Sequence, residues 1–227
     1  MTTGPRKLTA VGSPLVGVHG EWRSDVDPLA LPATDDLTAG QRRVLLGCVG
    51  LFADLGFAGA SVRDIAAAAG MQSASLYNHF PSKDAMLVKL AQIGFDEHLD
   101  RLMAAVVNAP ADPREQLRAA IRAHVLIHCQ YSRLALVVTH ELRYLDNPVA
   151  ATLLSIRDRS TALTLEILRR GEEQGVFELV SPQVVILALA SMGIDAARWF
   201  PYQSDISAEE LADDYARLAL RMVGAPA

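Results

Sequence analysis

Ser61-Val62-Arg63-Asp64-Ile65-Ala66-Ala67-Ala68-Ala69-Gly70, then Met71-Gln72, then Ser73-Ala74-Ser75-Leu76-Tyr77-Asn78-His79-Phe80, is the stretch that decides the fold. Ser61 is an N-cap, with Asp64 three residues on. The helix it opens ends at Gly70, where a residue without Cβ lets the chain reverse at positive φ. A second, short helix spans Ser73 to about Phe80. Pro81 breaks it and Ser82 caps the next. Helix, tight turn and short helix form a helix-turn-helix, whose second helix is the reader. Leu76 and Phe80 are four apart and face inward. Ser73, Ala74, Ser75, Tyr77, Asn78 and His79 remain for a partner. They are small or hydrogen-bonding, as close approach to a DNA groove requires. The helix N-terminal amides add affinity for phosphate.

The pattern stays helical outward from there. Upstream, a helix runs from about Ala39 to Asp54, with Val44, Leu45, Cys48, Leu51, Phe52 and Leu55 on its apolar side and Gly56 as its stop. Gly47 and Gly50 inside it each cost roughly 1 kcal/mol relative to alanine, so packing must hold it. Downstream, Ser82 opens a helix to about Val107. Asp112-Pro113-Arg114-Glu115 opens the next, to about Gln130. Ser132 begins one to about Leu145, Pro148 a long one to Gly175, and Ser181-Pro182 one to about Phe200. Ser207-Ala208-Glu209-Glu210 is a capping box for the last, to about Met222. No alternation of period two persists. The expectation is an all-α fold of about nine helices. Residues 1–38, rich in Gly, Pro, Ser, Thr and Asp, read as a flexible N-terminal extension. Residues 39–85 read as a helix-turn-helix DNA-binding domain, and 86–227 as a helical ligand-binding and dimerisation domain.

Composition sets limits on function. The 227 residues are 51% hydrophobic and 21% charged, which excludes wholesale disorder. No run reaches the roughly 18 apolar residues of a membrane span, and no membrane partner is expected. Gly12, Pro14, Gly17 and Gly20 break up the apolar stretch that follows Arg6 and Lys7, so it makes a poor secretory signal. Cys48 and Cys129 sit in apolar helical patterns. This argues against a disulfide framework and for a reducing cytoplasm. The chain is acidic, at −5, yet residues 41–90 carry Arg42, Arg43, Arg63, Lys83 and Lys89 against Asp54, Asp64 and Asp84. A local positive excess is what phosphate attraction needs.

The run from Gly56 to Gly70, followed by Leu76-Tyr77-Asn78-His79-Phe80-Pro81-Ser82-Lys83-Asp84, resembles the DNA-binding domain of TetR-family transcriptional regulators. It departs at Gly47 and Cys48, where the family usually has alanines. The resemblance implies a homodimer on palindromic double-stranded operator DNA, repressing until a small-molecule effector binds. It implies that Arg63 reaches a base or phosphate. Ser73, Ala74 and Asn78 would meet base edges, and Ser61, Ser75, Tyr77, His79 and Lys83 would contact phosphates. The physics agrees, since hydroxyl and ammonium donors on phosphate fix register while base contacts give preference. Packing against the first and fourth helices is the other reading of Tyr77 and His79. Glu172-Glu173-Gln174-Gly175-Val176-Phe177 and Ala197-Arg198-Trp199-Phe200, with Ile206 to Ala212 and Tyr215, are similar to a branch answering to acyl-CoA thioesters, including steroid-derived ones. The last two helices would form the dimer's four-helix bundle. Val184, Leu187, Leu189, Met192, Leu211, Tyr215, Leu218 and Met222 are candidates for core or interface.

Leu117, Ile121, His124 and His128 share one helix face, and His98 on the preceding helix could join them. The pair lacks an accompanying acid or Cys cluster, and a site needs three or four protein ligands. No metal is therefore expected. His98, His124, His128, Arg143, Tyr144 and Trp199 are the expected polar part of a largely apolar ligand pocket. Arg157, Arg159, Arg169 and Arg170 could meet the phosphates of a CoA-type ligand, or form a solvated face paired with acids. A neutral aromatic or drug-like ligand is the alternative effector. Among catalytic motifs there is no nucleophile elbow, dinucleotide fingerprint or Walker loop, so no enzyme activity and no cofactor are expected. The rival, an all-helical enzyme using His124, His128 and Glu141, leaves the helix-turn-helix unexplained.

Overall fold

A computed structural model of the chain describes residues 21–202 and 205–225. Among these there are nine α-helices and no strand: α1 Ala39–Gly59, α2 Val62–Ala68, α3 Ser73–Leu76, α4 Lys83–Asn108, α5 Pro113–Gln130, α6 Ser132–His140, α7 Asn147–Glu173, α8 Pro182–Trp199 and α9 Ala208–Met222. The caps explain most of the starts. Thr38 with Gln41 and Ser207 with Glu210 form capping boxes, and Ser61, Ser82 and Asp112 each accept a first-turn amide.

Three elements differ from the sequence expectation. The first helix is interrupted at Gly56, where φ is 73°, and one more turn follows to Gly59. The reader helix is regular only from Ser73 to Leu76. Beyond it the amides of Asn78 and His79 reach back three residues, to Ser75 and Leu76, and the coil tightens. The sixth helix stops at His140 instead of near Leu145, and a 3-10 turn follows over Leu142–Tyr144.

The core has two parts. One gathers Val44, Leu45 and Phe52 of α1, Ile65 of α2, Leu76 of α3, Met86, Leu87 and Leu90 of α4, and Leu134 and Val137 of α6. The other gathers Leu102 and Val106 of α4, Leu117 and Val125 of α5, Leu168 of α7, Leu189 of α8, and Leu211 and Leu220 of α9. The handover falls midway along α4, so the first cluster runs straight across residue 85. Glu141, the acid of the rival enzyme reading, is buried. Its carboxylate accepts the Phe57 amide at 3.0 Å, tying the end of α6 to the end of α1.

The expected extension divides. Residues 1–20 lie outside the described residues, but 21–38 are docked along the molecule. The Arg23 amide donates to Pro201 O at 2.8 Å, and its guanidinium lies 4.6 Å from the Phe200 ring centroid. The Trp22 indole meets the Tyr202 ring edge-on at 5.4 Å. Val26 and Leu31 are buried, and Arg42 of α1 donates to the carbonyls of Leu31 and Pro32 at 2.7 and 2.9 Å. This strap therefore spans from the α8 end to α1. Its apolar residues, spaced without period, carry no signal of where they dock.

Helix α8 is long and apolar enough to cross a membrane by length and composition alone. It buries Val185, Ile186, Leu189 and Ala196 within the bundle, while Val184 and Leu187 stay exposed.

Candidate functional site

The turn between α2 and α3 is made by Gly70 at φ 67°, with the Met71 amide closing back onto Ala66 O at 2.9 Å. This aims α3 outward. Leu76 and Phe80 are buried beneath it, as their spacing predicts. Arg63, Ala74, Ser75, Tyr77 and Asn78 are exposed, Tyr77 to 54%, and Ser73 is half-buried at the first position of α3. Arg63 comes from α2 and the other five from α3 and the turn that follows it.

Three of the residues assigned to phosphate have other work. Ser61 Oγ accepts the Asp64 amide at 3.1 Å and donates to its carboxylate at 2.6 Å, though the residue stays exposed. The half-buried His79 ring lies on α1. A Cβ built on Gly40 would fall 2.3 Å from it, so this glycine makes room for the imidazole. The Lys83 ammonium donates to Phe57 O at 2.7 Å and Ala60 O at 3.0 Å, and sits 4.3 Å from the Phe57 ring centroid. Carbonyls at a helix end lack partners within the helix, and a cation answers both them and the dipole. Lys83 thus closes the end of α1.

A cavity of about 510 Å³ opens among α4, α5, α6, α7 and α8. That is within the usual range for small-molecule sites. Its walls are mostly apolar, Phe95, Leu102, Ile121, Leu134 and Val138 among them, and Pro32 of the strap contributes. His98, His124 and His128 line it, with Glu97, Ser160 and Thr164 among its other polar residues. His98 Nε2 lies 2.8 Å from His124 Nδ1, and His98 Nδ1 lies 3.2 Å from Ser160 Oγ. His124 Nε2 is 3.1 Å from Ala190 O, and His128 Nδ1 is 2.7 Å from His124 O. Burial holds all three rings neutral. It pushes His98 down to about 3, with the adjacent His124 adding to the shift. It lowers His124 against the opposing pull of the Ala190 carbonyl, and takes His128 well below its ordinary value, helped by the other two rings.

The other three expected pocket residues are elsewhere. Arg143 and Tyr144 are exposed on the 3-10 turn, where the early end of α6 carries them toward α1, and the Tyr144 ring lies 5.5 Å from Phe57. Trp199 sits at the far end of α8 beside Phe200, outside the cavity lining. Of the four arginines on α7, Arg157 alone is among the lining residues, and it pairs with Asp158 at 3.1 Å. Arg170 donates to Gln116 instead. Sequence reasoning missed Ser160 and Thr164, buried polar residues four apart on α7, and Glu97. The i, i+4 spacing of two hydroxyls on one face of α7 was the available signal.

Residues 47–90 match the family model described as bacterial regulatory proteins, tetR family, and residues 110–223 match the tetracyclin repressor-like C-terminal domain. This chain belongs to the TetR family. It is a DNA-binding transcriptional regulator and not an enzyme. Among its relatives is the HTH-type transcriptional repressor KstR2 of Rhodococcus jostii, 27% identical over 200 residues, which cover 86% of this chain and 98% of that protein. A TetR-family regulatory protein from Rhodococcus RHA1 has a crystal structure that superposes with a TM-score of 0.78 at 29% identity, covering 84% of this chain and all of that one. AibR, solved with isovaleryl coenzyme A and operator DNA, gives a TM-score of 0.71 at 26% identity, covering 79% and 97% of the two chains.

Proposed function

We propose that this TetR-family protein is a cytoplasmic homodimeric repressor that leaves a palindromic operator when an acyl-CoA thioester enters the cavity. One observation carries the reading. Helix α4 runs unbroken from Lys83, directly after the helix-turn-helix, to His98 in the cavity wall and on to Asn108. A change at the cavity therefore reaches the reader through a single rigid element. Residues 39–85 act as the reading head. Residues 86–227 hold effector and partner, with α4 shared between the two. Arg63, Ser73, Ala74, Ser75, Tyr77 and Asn78 meet DNA, with His79, Ser61 and Lys83 at the margin.

The dimer forms through α8 and α9. Val184 and Leu187 of α8 and Leu218 and Met222 of α9 are exposed apolar side chains on adjacent helices, whereas Leu189 and Leu211 of the expected set are spent in the core. Two readers then meet half-sites about 34–36 Å apart, or a multiple of that. The thioester assignment rests on likeness to AibR, solved with isovaleryl coenzyme A, and the repressor assignment on likeness to KstR2. The ligand acts only through its preference between two dimer arrangements, and a hundredfold preference is about 2.7 kcal/mol per site.

The test is gel retardation with the DNA upstream of the protein's own gene. A single retarded complex at a palindrome, released by isovaleryl-CoA or a longer acyl-CoA but not by the matching free acids, is the expected result. Release by both or neither removes the CoA part. It would favour a neutral aromatic effector, which the mostly apolar wall with its one arginine also suits. No complex with any genomic DNA would overturn the repressor.

A further inference from the structure

The three cavity histidines come from two helices and converge. One ring nitrogen from each of His98, His124 and His128 lies within 4.8 Å of the others. The outer nitrogens are already engaged. His124 Nε2 faces the Ala190 carbonyl, so it carries the proton and leaves Nδ1 with a lone pair. His128 Nδ1 faces the His124 carbonyl, so Nε2 has the lone pair. His98 Nε2 faces His124 Nδ1, which has no proton to give. His98 therefore donates there, and its Nδ1 accepts from Ser160. If the His98 proton moves to Nδ1, it donates to Ser160 Oγ instead, and all three inner nitrogens present lone pairs to one point.

We propose that His98, His124 and His128 form a site for one borderline divalent metal ion of the zinc class, with a fourth position open to the cavity. Three neutral imidazoles are a donor set suited to zinc. Nitrogens bound at 2.0–2.1 Å in a tetrahedral site are about 3.3 Å apart, so the rings need only modest rotation from their present spacing. Ligand histidines characteristically donate their other N–H to a carbonyl, carboxylate or hydroxyl. Here Ser160, Ala190 and the His124 backbone provide those acceptors. Each is on a helix, so the orientation is held by the fold. Glu97 and Asp158 also line the cavity, each paired with an arginine, Arg101 and Arg157. The fourth position takes water or an effector oxygen. The ion then ties α4 to α5, with α7 and α8 in support. The sequence gives no metal-site signal because His98 lies 26 residues before His124, and only the packing of α4 on α5 brings the three nitrogens within 4.8 Å.

The experiment uses untagged full-length protein, stripped with chelator and titrated with cobalt(II), then with zinc(II). The expected result is visible d–d absorption saturating at one cobalt per chain and abolished by one equivalent of zinc. His98→Gln and His128→Gln should each weaken cobalt binding at least tenfold while circular dichroism shows native helix content. Ser160→Ala keeps all three ligands and should weaken binding about tenfold through loss of the outer hydrogen bond. If the histidine variants fail to fold, this variant decides. Absence of cobalt absorption at hundreds of micromolar overturns the site. So does equal binding in the wild type and the folded variants, which would place the ion elsewhere.

Discussion

Tyr77 and Asn78 are neighbours on the same exposed surface, yet they should answer to different measurements. A tyrosine hydroxyl is a phosphate donor that carries no base information, so Tyr77→Ala should weaken binding to all sequences alike, with no change in preference. Asn78 can pair with a base edge, so Asn78→Ala should shift preference at one operator position by roughly 1–3 kcal/mol. Fluorescence anisotropy with a single-base operator library separates the two. Lys83 belongs to a third kind. Its hydrogen bonds to Phe57 and Ala60 hold the end of α1, so Lys83→Gln should cost about 1.5–3 kcal/mol of stability, read as a lower midpoint in denaturant. An unchanged midpoint would return Lys83 to the DNA alone. The cysteines are inert by the same logic of burial. Desolvation pushes the Cys48 and Cys129 thiols up to about 12. Neither should react with a disulfide reagent at pH 8 until the protein is unfolded. The unfolded chain loses these protons near pH 9 and the folded chain only near 12. The thiols' contribution to stability therefore declines as pH rises above about 9.

At the scale of elements, short local signals were the legible ones. Ser61, Ser82, Asp112 and Ser207 are cap residues by type and position, and each caps the helix that follows it. The spacing of Leu76 and Phe80 turns both inward, and both are buried. Local pattern is silent where the outcome depends on distant packing. Nothing local to Arg143 and Tyr144 says that α6 ends at His140 because Glu141 is recruited to the Phe57 amide 84 residues away. The strap failed for the same reason, since Trp22 and Arg23 find their partners at Phe200, Pro201 and Tyr202. Trp22→Ala combined with Arg23→Ala should lower stability by about 1–3 kcal/mol through lost packing and hydrogen bonds. Calorimetry checks this, and an unchanged midpoint would mean that the strap only rests on the surface.

Over the whole molecule, the positive excess of 41–90 within an acidic chain is visible from residue counts, and it overlaps residues 47–90, which match the tetR-family model. The partner face was visible only in part. Sequence pattern grouped Leu187 with Leu189, but the structure leaves the first 67% exposed and buries the second. A helical apolar stripe does not itself say which residues a neighbour in the same chain has taken. Leu187→Asp should therefore shift the protein toward monomer in sedimentation at micromolar concentration, with helix content unchanged. Leu189→Asp should instead lose folded protein. A dimer that persists in Leu187→Asp would move the interface off α8.

Pro32 gives the cavity one wall from a segment without regular structure. The other walls are helices whose opposite faces build the two cores, so a change there is paid for in stability. Segments outside helices tolerate substitution and insertion far better. The matched family regions begin at residue 47, beyond the strap. Descendants of this protein can therefore acquire a different ligand range by drift at Pro32 and its exposed neighbours, while the buried Val26 and Leu31 keep the strap in place, which makes this stretch the evolvable part of the sensor.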